Sequence, residues 1–293
     1  MVGAAISGLS SCAPETNFIQ GPMENEAAVE TSESAISKLP DKSPEPSGTT
    51  SSSPEPTGLK TTPKLKLRVV NATTNRPIPK AKLKMKATNV VHDSDDNGEH
   101  NFANRPNRGT QIETSSPGFV AQTREVDEAS PEMVVALSPE LKSGEMRIVL
   151  SWGATPRDLD SYLLAYPTGQ SSYRIHFRFK ARLPEAKLDV DATNGKGPET
   201  ITLTGLSAGR YVYRVYDYTN KNSATPALLN PEIKTSNAVV TFYQPGKDPV
   251  SFQPPGNVPN DLTWNVFSFE IDSAGKITVT TQGTLTNNES LLH

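Results

Sequence analysis

Two aspartates one residue apart, Asp158 and Asp160, follow a hydrophobic run that ends in Trp152-Gly153 and turns through Pro156. In an extended strand, residues two apart share a face. The stretch 147–163, RIVLSWGATPRDLDSYL, therefore predicts two carboxylates side by side. Like charges that close raise each other's pKa unless water or a cation lies between them. The same spacing returns at Asp189 and Asp191, and Glu199 follows the Gly197-Pro198 step. Ca2+ collects roughly six to eight oxygens from carboxylates, carbonyls and water. Asp158, Asp160, Asp189, Asp191 and Glu199 thus form a candidate Ca2+ site, provided the chain brings them together. The competing reading pairs these acids with arginines such as Arg157 or leaves them solvated on a loop. Zinc is a poor match, because Cys12 is the single cysteine and His92, His100, His176 and His293 are dispersed.

The other chemical signals are negative. The sequence holds no Gly-x-Ser-x-Gly elbow, phosphate-binding loop, dinucleotide fingerprint or His-Glu-x-x-His pair. Asp158 and Asp160 on one strand are badly placed to flank a scissile bond. A non-catalytic protein is the expectation. A metal-assisted hydrolase is one alternative, and it requires a deep pocket holding Asp158 or Asp160 beside a further acid. Trp152, Tyr162, Tyr166, Tyr211, Tyr213, Tyr216 and Tyr218 raise a second alternative, a glycan-binding module, which requires aromatic faces exposed in a row. Alternating tyrosines also fill sandwich interiors. A net charge of −3 provides no basic excess for nucleic acid.

The elements that must position these residues are strands. With 25 prolines, 19 glycines and few aromatics, the composition suits short strands, many turns and a disordered segment. Alternation at Lys64 to Val69, Lys80 to Lys86, Met146 to Ser151 and Tyr173 to Phe179 predicts strands, Gly209 to Asp217 reads as a tyrosine-rich strand, and Met133 to Leu137 supplies another. Asp96-Asn97-Gly98 is a hairpin signal, and the nearby Asp93 and Asp95 suit that turn better than a Ca2+ loop. The fold class expected is all-β: two β-sandwich domains in tandem, 63–141 and 144–287, after a disordered stalk over 13–62 rich in Pro, Ser and Thr.

Three resemblances extend this reading. Leu9-Ser10-Ser11-Cys12, within 1–12, resembles a bacterial lipobox; the alternative is a plain terminus with a free thiol. The lipobox implies a lipidated Cys12, a membrane as partner, and a place in the cell envelope, at the outer membrane or cell surface. The motifs RVVNATTNRPIPKAKLKMKATN, HDSDDNGEHNF and SSPGFVAQTREV resemble the carboxypeptidase regulatory-like family of transthyretin-type sandwiches. That resemblance implies a structural or adhesive spacer. The combination WGATPRDLDSYL, LDVDATNGKGPETITL and GRYVYRVYDYTN is similar to the uncharacterised YfaP-like family of secreted β-domains. Together they imply a structural or binding module, with an envelope protein or a glycan as partner.

Overall fold

The computed structural model describes residues 64–127, 130–223, 232–256 and 261–286. The lipobox, Cys12 and the stalk over 13–62 lie outside the described residues. The first strands are β1 (Lys66–Asn71), β2 (Lys82–Met85), β3 (Val91–Asp93), β4 (Glu99–Asn101), β5 (Gln111–Ser115), β6 (Gln122–Glu125) and β7 (Glu132–Leu137). They are followed by β8 (Glu145–Ser151), β9 (Leu159–Pro167), β10 (Tyr173–Ile175), β11 (Ala181–Arg182), β12 (Ala186–Val190) and β13 (Glu199–Thr204). The last are β14 (Gly209–Asp217), β15 (Val239–Tyr243), β16 (Val250–Phe252), β17 (Thr263–Ile271) and β18 (Ile277–Thr286). The chain is all-β, and among the described residues a short 3₁₀ turn lies at Ile233–Thr235.

Four sheets form, with strand orders β4-β1-β7, β3-β2-β5-β6, β11-β12-β13-β8-β15-β16 and β10-β9-β14-β17-β18. They stack as four layers. Leu67, Val69, Val135 and Leu137 of the three-stranded sheet share a core with Leu83 and Ile112 of the four-stranded one. Ile148, Leu150, Leu203 and Phe242 of the six-stranded sheet meet Leu163, Tyr211, Tyr213 and Phe267 of the five-stranded one. The two middle layers then pack back to back through Val70, Ala72, Val134, Ala136, Val149 and Tyr243. That seam explains why β7 and β8 are buried at every position instead of alternating. The two expected sandwiches are thus two cores inside one unit of the described residues. Each large core side chain contributes roughly 1.5–3 kcal/mol on burial.

Polar groups lock the seam as well. Arg124 is 7% exposed, and its guanidinium donates to Ser151 Oγ at 2.8 Å and to the Asn237 carbonyl at 3.2 Å. Gln122 Nε2 donates to Thr241 Oγ1 at 3.0 Å, and Thr200 Oγ1 donates to the Ala72 carbonyl at 2.6 Å.

Two local expectations are corrected. The turn Asp96-Asn97-Gly98 does not close a hairpin: β3 pairs with β2, whereas β4 pairs with β1, so the turn passes from one sheet to another. Only Gly98 has positive φ, at +72°, and Asp95 Oδ1 accepts the Asn97 and Glu99 amides at 2.9 and 2.8 Å. The alternation from Tyr173 to Phe179 is also not one strand. β10 stops at Ile175, and the His176 and Phe179 backbones exchange hydrogen bonds around a turn at Phe177-Arg178.

Candidate metal centre

After β8 the chain turns at Trp152-Gly153. The buried indole of Trp152 donates to the Pro156 carbonyl at 2.8 Å and folds the turn back on itself. The loop between β12 and β13 lies on this turn, with the Lys196 amide donating to the Gly153 carbonyl at 2.7 Å and the Gly195 amide donating to the Arg157 carbonyl. Gly197 sits at φ +47°, where a β-carbon would meet the Trp152 ring at 2.9 Å. A glycine is what lets the loop seat on the indole. Just before β9, the Asp158 amide donates to Thr219 Oγ1 at 2.8 Å, and the Thr219 amide donates back to the Asp158 carbonyl at 3.2 Å. Three loops are thereby fixed around one end of the second core.

On this frame Asp160, Asp191 and Glu199 converge. One carboxylate oxygen from each lies within 4.8 Å of the others. Oxygens on one Ca2+, each at about 2.3–2.6 Å from the ion, are separated by at most about 5 Å. The three are therefore within reach of a single ion. Asp160 and Glu199 are 3% and 1% exposed, so water hardly reaches them. Asp160 Oδ2, Asp191 Oδ1 and Glu199 Oε1 are all buried without a hydrogen-bond partner, as is Oδ1 of the adjacent Asp158. The other Glu199 oxygen accepts the Ser161 amide at 2.6 Å, and the other Asp191 oxygen pairs with the Lys180 ammonium at 2.7 Å. A buried carboxylate with an idle oxygen is expensive, and here three such carboxylates converge.

The electrostatics agree with the geometry. Burial, reinforced by Asp158 and Asp191, pushes Asp160 up to about 8. Burial and then Asp160 push Glu199 well above the usual carboxylate range, against the pull of its Ser161 hydrogen bonds. Asp158 is raised by burial and by Asp191, with Arg157 and Lys221 opposing. Nearby Asp217, fully buried at the end of β14, is pushed up to about 6 by burial although Asn220 donates to both of its oxygens. Without a cation, these groups are driven to hold protons. The donors are all hard oxygens, which suits Ca2+, Mg2+ or Mn2+ and not a soft metal.

Of the five acids expected from spacing, the structure brings Asp160, Asp191 and Glu199 together and sets Asp158 beside them. It does not bring Asp189. The register of β12 against β13 slips between Leu188 and Val190, so the two-residue alternation does not carry to Asp191. Asp189 Oδ2 instead accepts from Thr202 Oγ1 at 2.5 Å, with Lys187 3.5 Å from its other oxygen. Spacing gave no sign of Ser161 or Lys180, which hold the remaining oxygens.

The aromatic residues serve the core. Trp152, Tyr162, Tyr211, Tyr213 and Tyr216 are buried, and among the described tyrosines and tryptophans only Tyr166 is exposed. A cleft of about 380 Å³ lined by Arg124, Glu132, Trp152 and Asn237 does not include Asp158 or Asp160. A groove beside Tyr166, Arg210 and Glu270 does not include them either. Among the described residues no helix is long and apolar enough to cross a membrane.

No protein-family model matches the chain. No curated protein matches it. Among solved structures, it is similar to the unknown function protein SAV2460, with 18% identity and a TM-score of 0.39 over 50% of this chain and 94% of that one. It is also similar to SCO6318 from Streptomyces coelicolor A3(2), a homologue of telluride resistance protein (TerD), with 16% identity and a TM-score of 0.36 over 51% of this chain and 95% of that one.

Proposed function

We propose that this protein is a non-catalytic binding module of the cell envelope whose second core holds a Ca2+ ion between Asp160, Asp191 and Glu199, with Asp158 as a further donor. The observation that carries the reading is that Asp160, Asp191 and Glu199 bring carboxylate oxygens within 4.8 Å of one another while each keeps one buried oxygen without a hydrogen-bond partner. A divalent cation satisfies them and removes their mutual repulsion. Asp160, Glu199 and Asp158 are 5% exposed or less, which leaves no room for a bulky substrate. That burial supports an ion that organises a binding surface rather than one that activates water on a substrate. Ca2+ is preferred over Mg2+ because it tolerates irregular geometry, whereas Mg2+ demands a near-ideal octahedron and keeps its waters.

The resemblance of Leu9 to Cys12 to a lipobox supports a lipid anchor on Cys12, with the Pro- and Ser-rich segment over 13–62 as its tether. In this reading the carboxypeptidase regulatory-like part is a spacer and the YfaP-like part carries the ion.

Thermal melting and calorimetric titration with Ca2+ and Mg2+ test the site. Ca2+ is expected to raise the melting temperature of the wild type and to leave the Asp160→Asn and Glu199→Gln variants unmoved. Identical melts of wild type with Ca2+ and with chelator would remove the ion from the reading. Intact mass of membrane-extracted protein tests the anchor, and an unmodified Cys12 would remove it.

A further inference from the structure

The stretch 173–187, YRIHFRFKARLPEAK, carries Arg174, Arg178, Lys180, Arg182 and Lys187 against one acid, Glu185, in a chain of net charge −3. Topology puts it at a rim: β10 ends the five-stranded sheet, β11 ends the six-stranded sheet, and the chain crosses between them through tight turns. The first turn leaves Phe177 and Arg178 at its corner. The second leaves Leu183-Pro184-Glu185 between the paired Arg182 and Ala186. Two apolar side chains stand out into solvent here, Phe179 at 53% and Leu183 at 74% exposed. The guanidinium of Arg174 lies over Phe179 at 5.5 Å, that of Arg178 over Phe177 at 5.3 Å, and that of Arg182 over Tyr173 at 4.6 Å. These contacts hold the cations on aromatic faces. The rim is tied to the acidic group through the Lys180–Asp191 ion pair at 2.7 Å.

We propose that this rim docks on an anionic lipid surface, and that a divalent cation in the acidic group strengthens docking by displacing Lys180 from Asp191. The second part rests on the cation site proposed above. Clustered arginines and lysines are drawn to anionic headgroups. A dissolved polyanion would engage the same cations but give Leu183 and Phe179 nothing to enter, whereas the headgroup–acyl boundary takes up both. Lys180 links the two features because Asp191 divides its carboxylate between that ammonium and the cluster. An ion bound by Asp191 competes for the charge that holds Lys180, and the freed ammonium adds to the rim.

The full chain carrying Cys12→Ser, so that no acyl group contributes, is sedimented with vesicles of phosphatidylcholine alone or mixed with phosphatidylglycerol, in Ca2+ or chelator. Melting of the same samples reports ion binding separately. Binding is expected only to the mixed vesicles and severalfold more tightly in Ca2+. Arg178→Ser/Arg182→Ser should weaken it about fivefold per charge removed, with the Ca2+ melting shift intact. Leu183→Ser should weaken vesicle binding but not binding to dextran sulfate. Lys180→Met should abolish the Ca2+ dependence of vesicle binding while keeping the melting shift. Equal binding to both vesicle types, or no effect of the double arginine variant, would overturn the docking surface. Leu183→Ser that leaves vesicle binding unchanged would assign the rim to a soluble polyanion instead. A normal Ca2+ melting shift without Ca2+-dependent sedimentation would overturn the coupling and leave the ion site standing. An absent melting shift would sink both the site and the coupling.

Discussion

Replacing Asp160 by asparagine separates the ion reading from a merely structural role, because the sign of its effect depends on pH and on the cation. Asp160 rises from an ordinary 3.8 to about 8 in the folded chain. The folded state therefore keeps a proton that the unfolded chain releases above about pH 4. Stability tied to this proton is fully present below pH 4 and is lost as pH rises toward 8, by about 1.4 kcal/mol per pH step of one. The ceiling is on the order of 5 kcal/mol, and the 3% exposure of Asp160 leaves little solvent to screen it. The Asp160→Asn variant lacks this loss. In chelator it should match wild type near pH 4 and exceed it increasingly toward pH 8. With Ca2+ the order reverses, because wild type exchanges protons for an ion that the variant holds poorly. At pH 7 Asp160 still holds most of its proton, so ion binding should release about one proton from it. Ca2+ affinity should climb about tenfold per pH step for each proton displaced. Calorimetry in buffers of different ionisation heat counts the protons, and urea unfolding across pH measures the stability difference. Normal Ca2+ binding without proton release at pH 7, or a wild type–variant stability difference flat from pH 4 to 8, would refute the reasoning.

Three further outcomes concern the acids, the seam and the loop on Trp152. Asp189→Asn should leave Ca2+ affinity within about twofold of wild type while Asp191→Asn lowers it at least tenfold, as titration calorimetry will read, since ligand charge count sets affinity. Arg124→Ala strands Ser151 and two carbonyls in the seam; a loss of roughly 2–4 kcal/mol is expected, which denaturant unfolding measures, and a change below about 0.5 kcal/mol would contradict the packing described. Gly197→Ala drives a methyl into the Trp152 ring, so its melting temperature should fall and Ca2+ should restore little of it, because the loop carrying Asp191 and Glu199 is displaced.

Much of this architecture is written plainly in the sequence. Gly209 to Asp217 reads as a tyrosine-rich strand and forms β14 over the same residues. Met133 to Leu137 reads as a strand too, and it lies in β7, which is buried at every position. What spacing cannot convey is backbone hydrogen-bond register. The slip between Leu188 and Val190 sends Asp189 to Thr202 and frees Asp191 for the cluster, though the Asp-x-Asp pattern looks the same as at Asp158 and Asp160. Alternation also ran unbroken through Phe177 and Arg178, where the chain in fact turns. Lys180 and Ser161 reach the acids only through tertiary approach, which leaves no local signature.

The parallel pairing of β1 with β7 has a mechanical consequence. Lys66 stands beside Glu132 at one end and Asn71 beside Leu137 at the other, so both strands run the same way. The chain enters β1 at its beginning and departs toward the second core from the finish of β7. Tension applied between the start of β1 and the second core would therefore drag the two strands lengthwise past one another. All rungs of the ladder would bear the load together, instead of parting singly like a zip. Against a pull along that line the fold presents a shear clamp.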